Sequence, residues 1–109
     1  MNDNPVLAEL SPPANTTSLL YTVSGSSNAS GTIFCMNQNN TDDLVRVGLV
    51  PHGNTIISSS WIAYNTRIYH GQSLYLQQIY LNSGDSVWVF SQNGTSNFIF
   101  NGLENPTTV

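Results

Sequence analysis

Short runs of β-branched, aliphatic and aromatic residues recur along this chain, and turn-forming clusters separate them at intervals of roughly 8 to 12 residues. No window of about 11 residues keeps the apolar spacing of an amphipathic helix, and the good helix formers Lys, Glu, Arg and Ala are scarce. The pattern therefore predicts an all-β protein of about eight strands. We place these strands at residues 6–10, 19–23, 32–37, 44–50, 60–64, 73–81, 86–91 and 97–103.

The chain is long enough for one hydrophobic core and too short for two, so we expect a single domain over residues 1–109. Short strands with turn signals between them favour an antiparallel β-sandwich, of either jelly-roll or immunoglobulin-like topology. We expect an extended N-terminal segment over about residues 1–18.

One predicted strand, at residues 73–81, has an irregular pattern. Its apolar residues change face between Leu76 and Ile79. Either a β-bulge near Gln77 or Gln78 restores a common face, or the strand crosses from one sheet to the other at this point.

Three predicted strands are apolar on both faces, whereas a two-layer sandwich has only one interior. One face of each strand can fill the core, and the other needs cover from a partner or from the N-terminal segment of the chain itself. We predict that a partner supplies this cover, because aromatic residues are enriched at oligomer interfaces. The candidate interface residues are Phe34, Met36, Trp88, Phe90 and Ile99.

The chain is unusually poor in charge. It has no lysine, Arg46 and Arg67 are its only arginines, and its charged fraction is 7%, whereas about a quarter is usual. Alternation with Val45 and Val47 places Arg46 on the solvent side of its strand. Asn, Ser and Thr supply 38 positions. The surface is therefore either hydrated by neutral amides and hydroxyls or occupied by partners.

The same composition bounds the partners. With a net charge of −4 and two arginines, the chain has too few cations to bind a phosphate backbone, so we expect no nucleic acid. No apolar run approaches the roughly 18 residues of a membrane helix, and the first 30 residues show no secretory signal. Edge strands of soluble β proteins are commonly blunted by lysine. Here the edges are either blunted in another way or paired.

No motif indicates catalysis: a Gly-x-Ser-x-Gly elbow, a phosphate-binding glycine loop and a His-Glu-x-x-His pair are all missing. His52 and His70 each precede a glycine in a predicted turn, which favours solvated loop histidines over a metal site. Asp42 and Asp43 are typical of a turn. Cys35 lies among apolar residues, where we expect a buried thiol with a packing role. We therefore expect no catalytic residue, cofactor or metal.

Four short segments point to a family. They are Leu-Tyr-Thr-Val at residues 20–23, Cys-Met-Asn at 35–37, Ile-Ala-Tyr at 62–64 and Ser-Gly-Asp at 83–85. Together they resemble a family of small β-sandwich structural proteins encoded by tailed bacteriophages, including cyanophages. The resemblance spans residues 10–104, and it departs from the family at the loop Val-Ser-Gly-Ser-Ser-Asn-Ala-Ser-Gly, where a tighter turn is usual.

The resemblance implies a non-enzymatic component of the virion, either a capsid decoration or cement protein or a tail or baseplate component. We expect it to assemble through apolar strand faces and edges, to contact other capsid or tail subunits, and to form a homo-oligomer, with a trimer favoured. No membrane partner is expected.

The alternative is a carbohydrate-binding or adhesin module of a phage fibre, in which exposed aromatic rings stack on sugars. The candidate stacking residues are Trp61, Tyr64, Tyr69 and Tyr75.

Overall fold

A computed structural model describes residues 4–106, which form eight β-strands and one short 3₁₀ helix, Ser58–Ser60. In chain order the strands are β1 Asn4–Leu10, β2 Ser18–Thr22, β3 Ser27–Asn37, β4 Asp43–Val50, β5 Trp61–Ile68, β6 Ser73–Leu81, β7 Ser86–Ser91 and β8 Ser96–Pro106. The prediction of an all-β chain with about eight strands is confirmed. Within these residues no helix has the length and apolar character needed to cross a membrane.

The strands form two four-stranded antiparallel sheets that pack as a sandwich. Sheet I has the order β1-β8-β3-β6 and sheet II the order β2-β7-β4-β5. Successive strands alternate between the sheets, except for the β4–β5 connection, which stays within sheet II. This order is that of an eight-stranded jelly roll, so the choice left open by the sequence between jelly-roll and immunoglobulin-like topology is decided.

The inward side chains of both sheets form one core. Val45 and Val47 are fully buried, as the alternation along β4 predicts, and Arg46 between them faces outward. The aromatic centre of the core comes from Phe98 and Phe100 of β8, which are also fully buried. The remaining buried core residues are Leu20, Val23, Ala29, Ile33, Cys35, Ile68, Ile79, Leu81, Val87 and Val89.

The β-bulge predicted in β6 is present. Where β3 advances two residues, from Gly31 to Ile33, β6 advances three, from Ile79 to Leu76. The extra length includes Gln78, whose φ of 60° lies in the left-handed region. Both Ile79 and Leu76 therefore pack against the core, and the strand stays in one sheet.

All four edge strands within residues 4–106 are irregular. Bulges interrupt the pairing of β2 at Leu20, of β5 near Asn65 and of β6 near Gln78, and β1 carries Pro5. A bulge twists an edge away from regular pairing, and proline removes a backbone donor. These edges are therefore blunted without lysine, which is one of the two alternatives that the composition left open.

The N-terminal segment does not cover a sheet. Residues 4–10 form β1, which pairs with β8 and extends sheet I at its edge, and residues 18–22 form β2 in sheet II. Residues 1–3 of the expected segment lie outside the described residues. Residues 4–10 and 18–22 therefore do not supply the cover that the sequence offered as the alternative to a partner.

Candidate interaction surfaces

The five candidate interface residues do not form one patch. Phe34, Met36 and Ile99 lie on the outer face of sheet I, because β3 and β8 are its two central strands. Trp88 and Phe90 lie on β7, and so on the outer face of sheet II at the opposite side of the molecule. The two faces have to be considered separately.

A continuous row of side chains crosses the outer face of sheet I. Glu9, Ile99, Phe34 and Tyr75 are successive cross-strand partners from β1 to β6. The rings of Phe34 and Tyr75 meet edge to face, with centroids 5.2 Å apart and planes at 85°. Cross-strand aromatic pairs of this kind stabilise a sheet surface. The centre of the face is therefore apolar across three of its four strands.

Further exposed apolar side chains extend this row. Leu7, 65% exposed, and Tyr80, 74% exposed, lie towards one end of the sheet, and Met36, 40% exposed, lies towards the other. We call this outer surface of sheet I the apolar face; its apolar side chains are Leu7, Phe34, Met36, Tyr75, Tyr80, Ile99 and Leu103, and neutral polar residues such as Thr32, Asn97 and Asn101 lie between them. Among the described residues of this face Glu9 is the only charged one. A surface of this kind commonly marks an interaction site.

The outer face of sheet II is covered in part by its own chain, although Leu19 and Tyr64 remain exposed on it. Phe90 is only 6% exposed, because the guanidinium of Arg46 lies 4.2 Å from its ring centroid. Trp88 is half-buried, and its indole N–H donates to the hydroxyl of Ser86 at 3.0 Å. We predicted Phe90 as an interface residue, but its side chain is buried within the chain itself. The reason is its cross-strand contact with Arg46.

Three aromatic rings surround Arg46. Besides Phe90, its guanidinium carbon lies 4.3 Å from the ring centroid of Tyr64 and 5.9 Å from that of Trp61. The ring centroids of Trp61 and Tyr64 lie 5.8 Å apart, and their planes are tilted by 58°. We call these four residues the arginine–aromatic cluster. The alternation along β4 predicted that Arg46 faces outward. It did not predict the three aromatic neighbours of Arg46, because they come from β7 and β5, and local sequence patterns do not show that these strands flank β4.

The four candidate sugar-stacking residues separate in the same way. Only Trp61 and Tyr64 share a surface, within the arginine–aromatic cluster. Tyr69 is exposed just beyond the end of β5, and Tyr75 belongs to the apolar face of sheet I. A stacking site built from all four is therefore excluded by geometry.

A buried polar network closes one end of the sandwich. Asp43 is buried and accepts hydrogen bonds from the hydroxyls of Ser91 and Ser96 and from two backbone N–H groups. Asn37, also buried, donates to the carbonyls of Thr41 and Ile68, at 2.7 and 3.1 Å. These contacts join the β3–β4 connection to the β7–β8 turn. Asp43 is therefore a structural residue rather than a solvated turn residue.

The remaining candidates for chemistry have structural environments. Cys35 is buried, as predicted, and burial together with the charge of Asp43 raises the pKa of its thiol to about 12, although a hydrogen bond from Ser96 acts in the opposite direction. His52 and His70 are exposed. No group of three or more potential metal ligands occurs among residues 4–106.

Glu104 connects β8 to sheet II. It accepts hydrogen bonds from the hydroxyls of Tyr21 and Ser24, and the Tyr21 ring stacks on Phe100 with centroids 4.8 Å apart. Burial alone would raise the pKa of Glu104, but these hydrogen bonds outweigh it and hold the pKa below its ordinary value. Burial and the same contact raise the pKa of Tyr21. The pair ties the two sheets together.

Comparisons with known proteins identify no family for this chain. No protein-family model and no curated protein matches the chain. Among solved structures, a chain in the structure of infectious bursal disease virus, Gx strain, is similar over 95% of this chain, with 10% sequence identity and a TM-score of 0.49. This chain spans 30% of the length of that chain. At this identity and TM-score the similarity carries no conclusion about function.

Proposed function

We propose that this chain is a non-enzymatic structural protein of a tailed-phage virion, located on the capsid or tail, and that it assembles into a small cyclic homo-oligomer through the apolar face of sheet I. The virion role rests on the resemblance over residues 10–104, and the observation that carries the assembly is the face itself. Its central row of Ile99, Phe34 and Tyr75 is uncharged, and no described segment of the chain covers the exposed side chains around it.

A broad side of the molecule has room for a standard protein–protein interface. The two longer extents of the molecule, 49 and 26 Å, bound a broad face at about 1,270 Å², their product. A standard interface buries about 800 Å² per partner. Burial of that area would contribute on the order of 10 kcal/mol from its apolar part, before the cost of association.

The distribution of charge favours a second copy of the chain as the occupant. Both arginines lie on sheet II, in β4 and β5, and Glu9 lies on the edge strand β1 of sheet I. A copy that packs on the apolar face therefore meets little charge of either sign. A strongly basic or acidic partner would find almost no counter-charge there.

The irregular edge strands favour assembly through the faces of the sheets over assembly through their edges. Bulges and Pro5 disfavour edge-to-edge pairing of strands, so the faces are the surfaces left for contact. Neutral Asn, Ser and Thr residues keep the other surfaces hydrated, which is compatible with a charged fraction of 7%.

Solution mass tests the assembly. The wild-type chain should be observed at a small multiple of 11.9 kDa, and Tyr80→Asp should reduce the mass to that of one chain, because it places a charge in the proposed contact. Tyr69→Asp is the matched control: Tyr69 is 53% exposed but lies off the apolar face, so its oligomer should persist. A wild-type chain that stays monomeric at high concentration would overturn the proposed assembly.

Mass spectrometry of purified particles tests the virion assignment separately. We expect the chain to be present in many copies per particle of the phage that encodes it. Its absence from particles, with synthesis confirmed in infected cells, would overturn the virion role even if the oligomer forms.

A further inference from the structure

The arginine–aromatic cluster on sheet II has the composition of a ligand site and lies on the face opposite to the proposed assembly contact. Strand order β7-β4-β5 places Phe90, Arg46 and Tyr64 side by side across the sheet. Trp61 and Tyr64 come from the same edge strand, where both rings reach the surface. The cluster is independent of the apolar face and of the proposed function.

Arg46 is held in one orientation before any ligand binds. Phe90 and Tyr64 lie within 4.3 Å of the guanidinium carbon, and its Nε donates to the side-chain oxygen of Asn65 at 2.7 Å. Asn65 has a φ of 50°, in the left-handed region, at the bulge of β5. Bulges and strained backbone of this kind often aim a side chain at a functional site. Here the bulge aims Asn65 at Arg46.

The terminal nitrogens of Arg46 remain available. Within residues 4–106 neither Nη atom has a hydrogen-bond or ion-pair partner, and neither is buried. Arg67, in contrast, pairs with Asp42 at 3.2 Å. A fixed guanidinium with both terminal nitrogens open matches the geometry of a carboxylate, which it can bind with two parallel hydrogen bonds.

The rings of Trp61 and Tyr64 flank this cation, with their planes tilted by 58° to each other. A Cβ on Gly48 would lie 3.1 Å from Trp61 Cε3, so the absence of a side chain at Gly48 allows the indole to lie close over β4. Tyr64 is 56% exposed beside it. Rings in such a position stack on the apolar face of a sugar.

We propose that this cluster binds a carboxylated sugar, with the carboxylate on Arg46, the pyranose ring stacked on the exposed ring of Tyr64 and its edge towards Trp61. Arg46 alone could bind any carboxylate, and the rings of Tyr64 and Trp61 alone could bind any sugar. Their contact, with the guanidinium 4.3 Å from the Tyr64 ring centroid, favours a ligand that offers both features within one residue.

Titration followed by NMR tests the site, with a galacturonic acid trisaccharide as the probe. Saturable shifts should appear at the Arg46 Nε–H and the Trp61 indole N–H, with affinity in about the millimolar range. The neutral galactose trisaccharide of the same linkage, and acetate alone, should each bind at least about tenfold more weakly, because each offers only half of the recognition.

Variants assign the effect to residues. Arg46→Gln should weaken binding at least about tenfold. Since Arg46 also covers Phe90, Tyr64→Ala is the second test: it truncates an exposed ring, keeps the contacts of Arg46 with Phe90 and Asn65, and should weaken sugar binding to a similar extent. Tyr75→Ala is the matched control, because Tyr75 is 58% exposed on the opposite sheet, and binding should be unchanged.

Three results would overturn the proposal. If the neutral trisaccharide bound as tightly as the acidic one, Arg46 would not contribute to binding. If acetate bound as tightly as the acidic trisaccharide, the rings would not contribute. Triglutamate that binds more tightly than the acidic trisaccharide, and equally well to Tyr64→Ala and the wild type, would assign the cluster to a protein carboxylate instead.

Discussion

Asp42 and Asp43 are adjacent, but their side chains have different surroundings. Asp43 begins β4 with its carboxylate buried among Ser91, Ser96 and two backbone N–H donors. Asp42 lies one residue earlier, partly exposed, and pairs with Arg67 at 3.2 Å. The two residues are chemically identical and differ in burial. Loss of the buried carboxylate of Asp43 would leave its hydrogen-bond donors without an acceptor, because water cannot reach them.

Replacement of each aspartate by alanine should therefore give unequal results. We expect Asp43→Ala to lower the free energy of unfolding by about 3 kcal/mol, because several buried donors lose their acceptor. Asp42→Ala should change it by no more than about 0.5 kcal/mol, since it breaks only a solvent-exposed ion pair. Urea unfolding of the three proteins measures both values. Equal destabilisation by the two substitutions would contradict this account.

Among the strands, the four edge strands are protected from pairing with other chains although the protein has no lysine. Without lysine, regular exposed edges would invite pairing with other chains. The extra residues in β2, β5 and β6 interrupt this regularity, and in β5 and β6 the irregularity includes a non-glycine residue with positive φ. The same insertion in β6 keeps its apolar residues on the core side.

The bulge in β6 makes a stability prediction. Gln78 has a φ of 60°, which glycine adopts without the steric cost of a Cβ, so Gln78→Gly should raise the free energy of unfolding by about 0.5 kcal/mol. Gln77→Gly, at a neighbouring position without positive φ, should lower it by about 0.5–1 kcal/mol. Thermal and urea unfolding compare the pair. The bulge geometry would be wrong if Gln78→Gly proved the less stable of the two variants.

At the scale of the whole molecule, the two broad faces differ. Arg46 covers part of the outer face of sheet II, and Ile56 and Trp61 lie close over Gly48. The outer face of sheet I exposes Leu7, Tyr75 and Tyr80 without such cover. A single jelly roll therefore presents one apolar face and one face with an open arginine, so it can make two kinds of contact at once.

An assembly held by the apolar face should not depend on ion pairs. We expect the oligomer mass to be unchanged between about 50 mM and 1 M sodium chloride, because this range shortens the screening length to about 3 Å and weakens contacts between exposed charges without weakening apolar burial. Light scattering at both salt concentrations measures the mass. Dissociation at high salt would point to a charged contact and away from the apolar face.

Sequence patterns predicted much of the fold because they are local. Alternation placed Val45 and Val47 in the core and Arg46 outside, and the change of face in β6 predicted its bulge. The sequence prediction was wrong at the start of β3: it began this strand at residue 32, but residues 27–31, which are Ser, Asn, Ala, Ser and Gly, also pair with β8. Long-range pairing there overrides the low strand propensity of these residues.

Local patterns predicted the number of strands, most of their positions and their inward sides, and composition alone showed the scarcity of charge. The tertiary structure decided which strands are neighbours, and with this both candidate surfaces. Phe34 and Ile99 became partners on an open face, whereas Phe90 received Arg46 as cover. Strand alternation is a property of neighbouring residues, but the jelly-roll order pairs segments far apart in the chain, and no local pattern encodes those pairings.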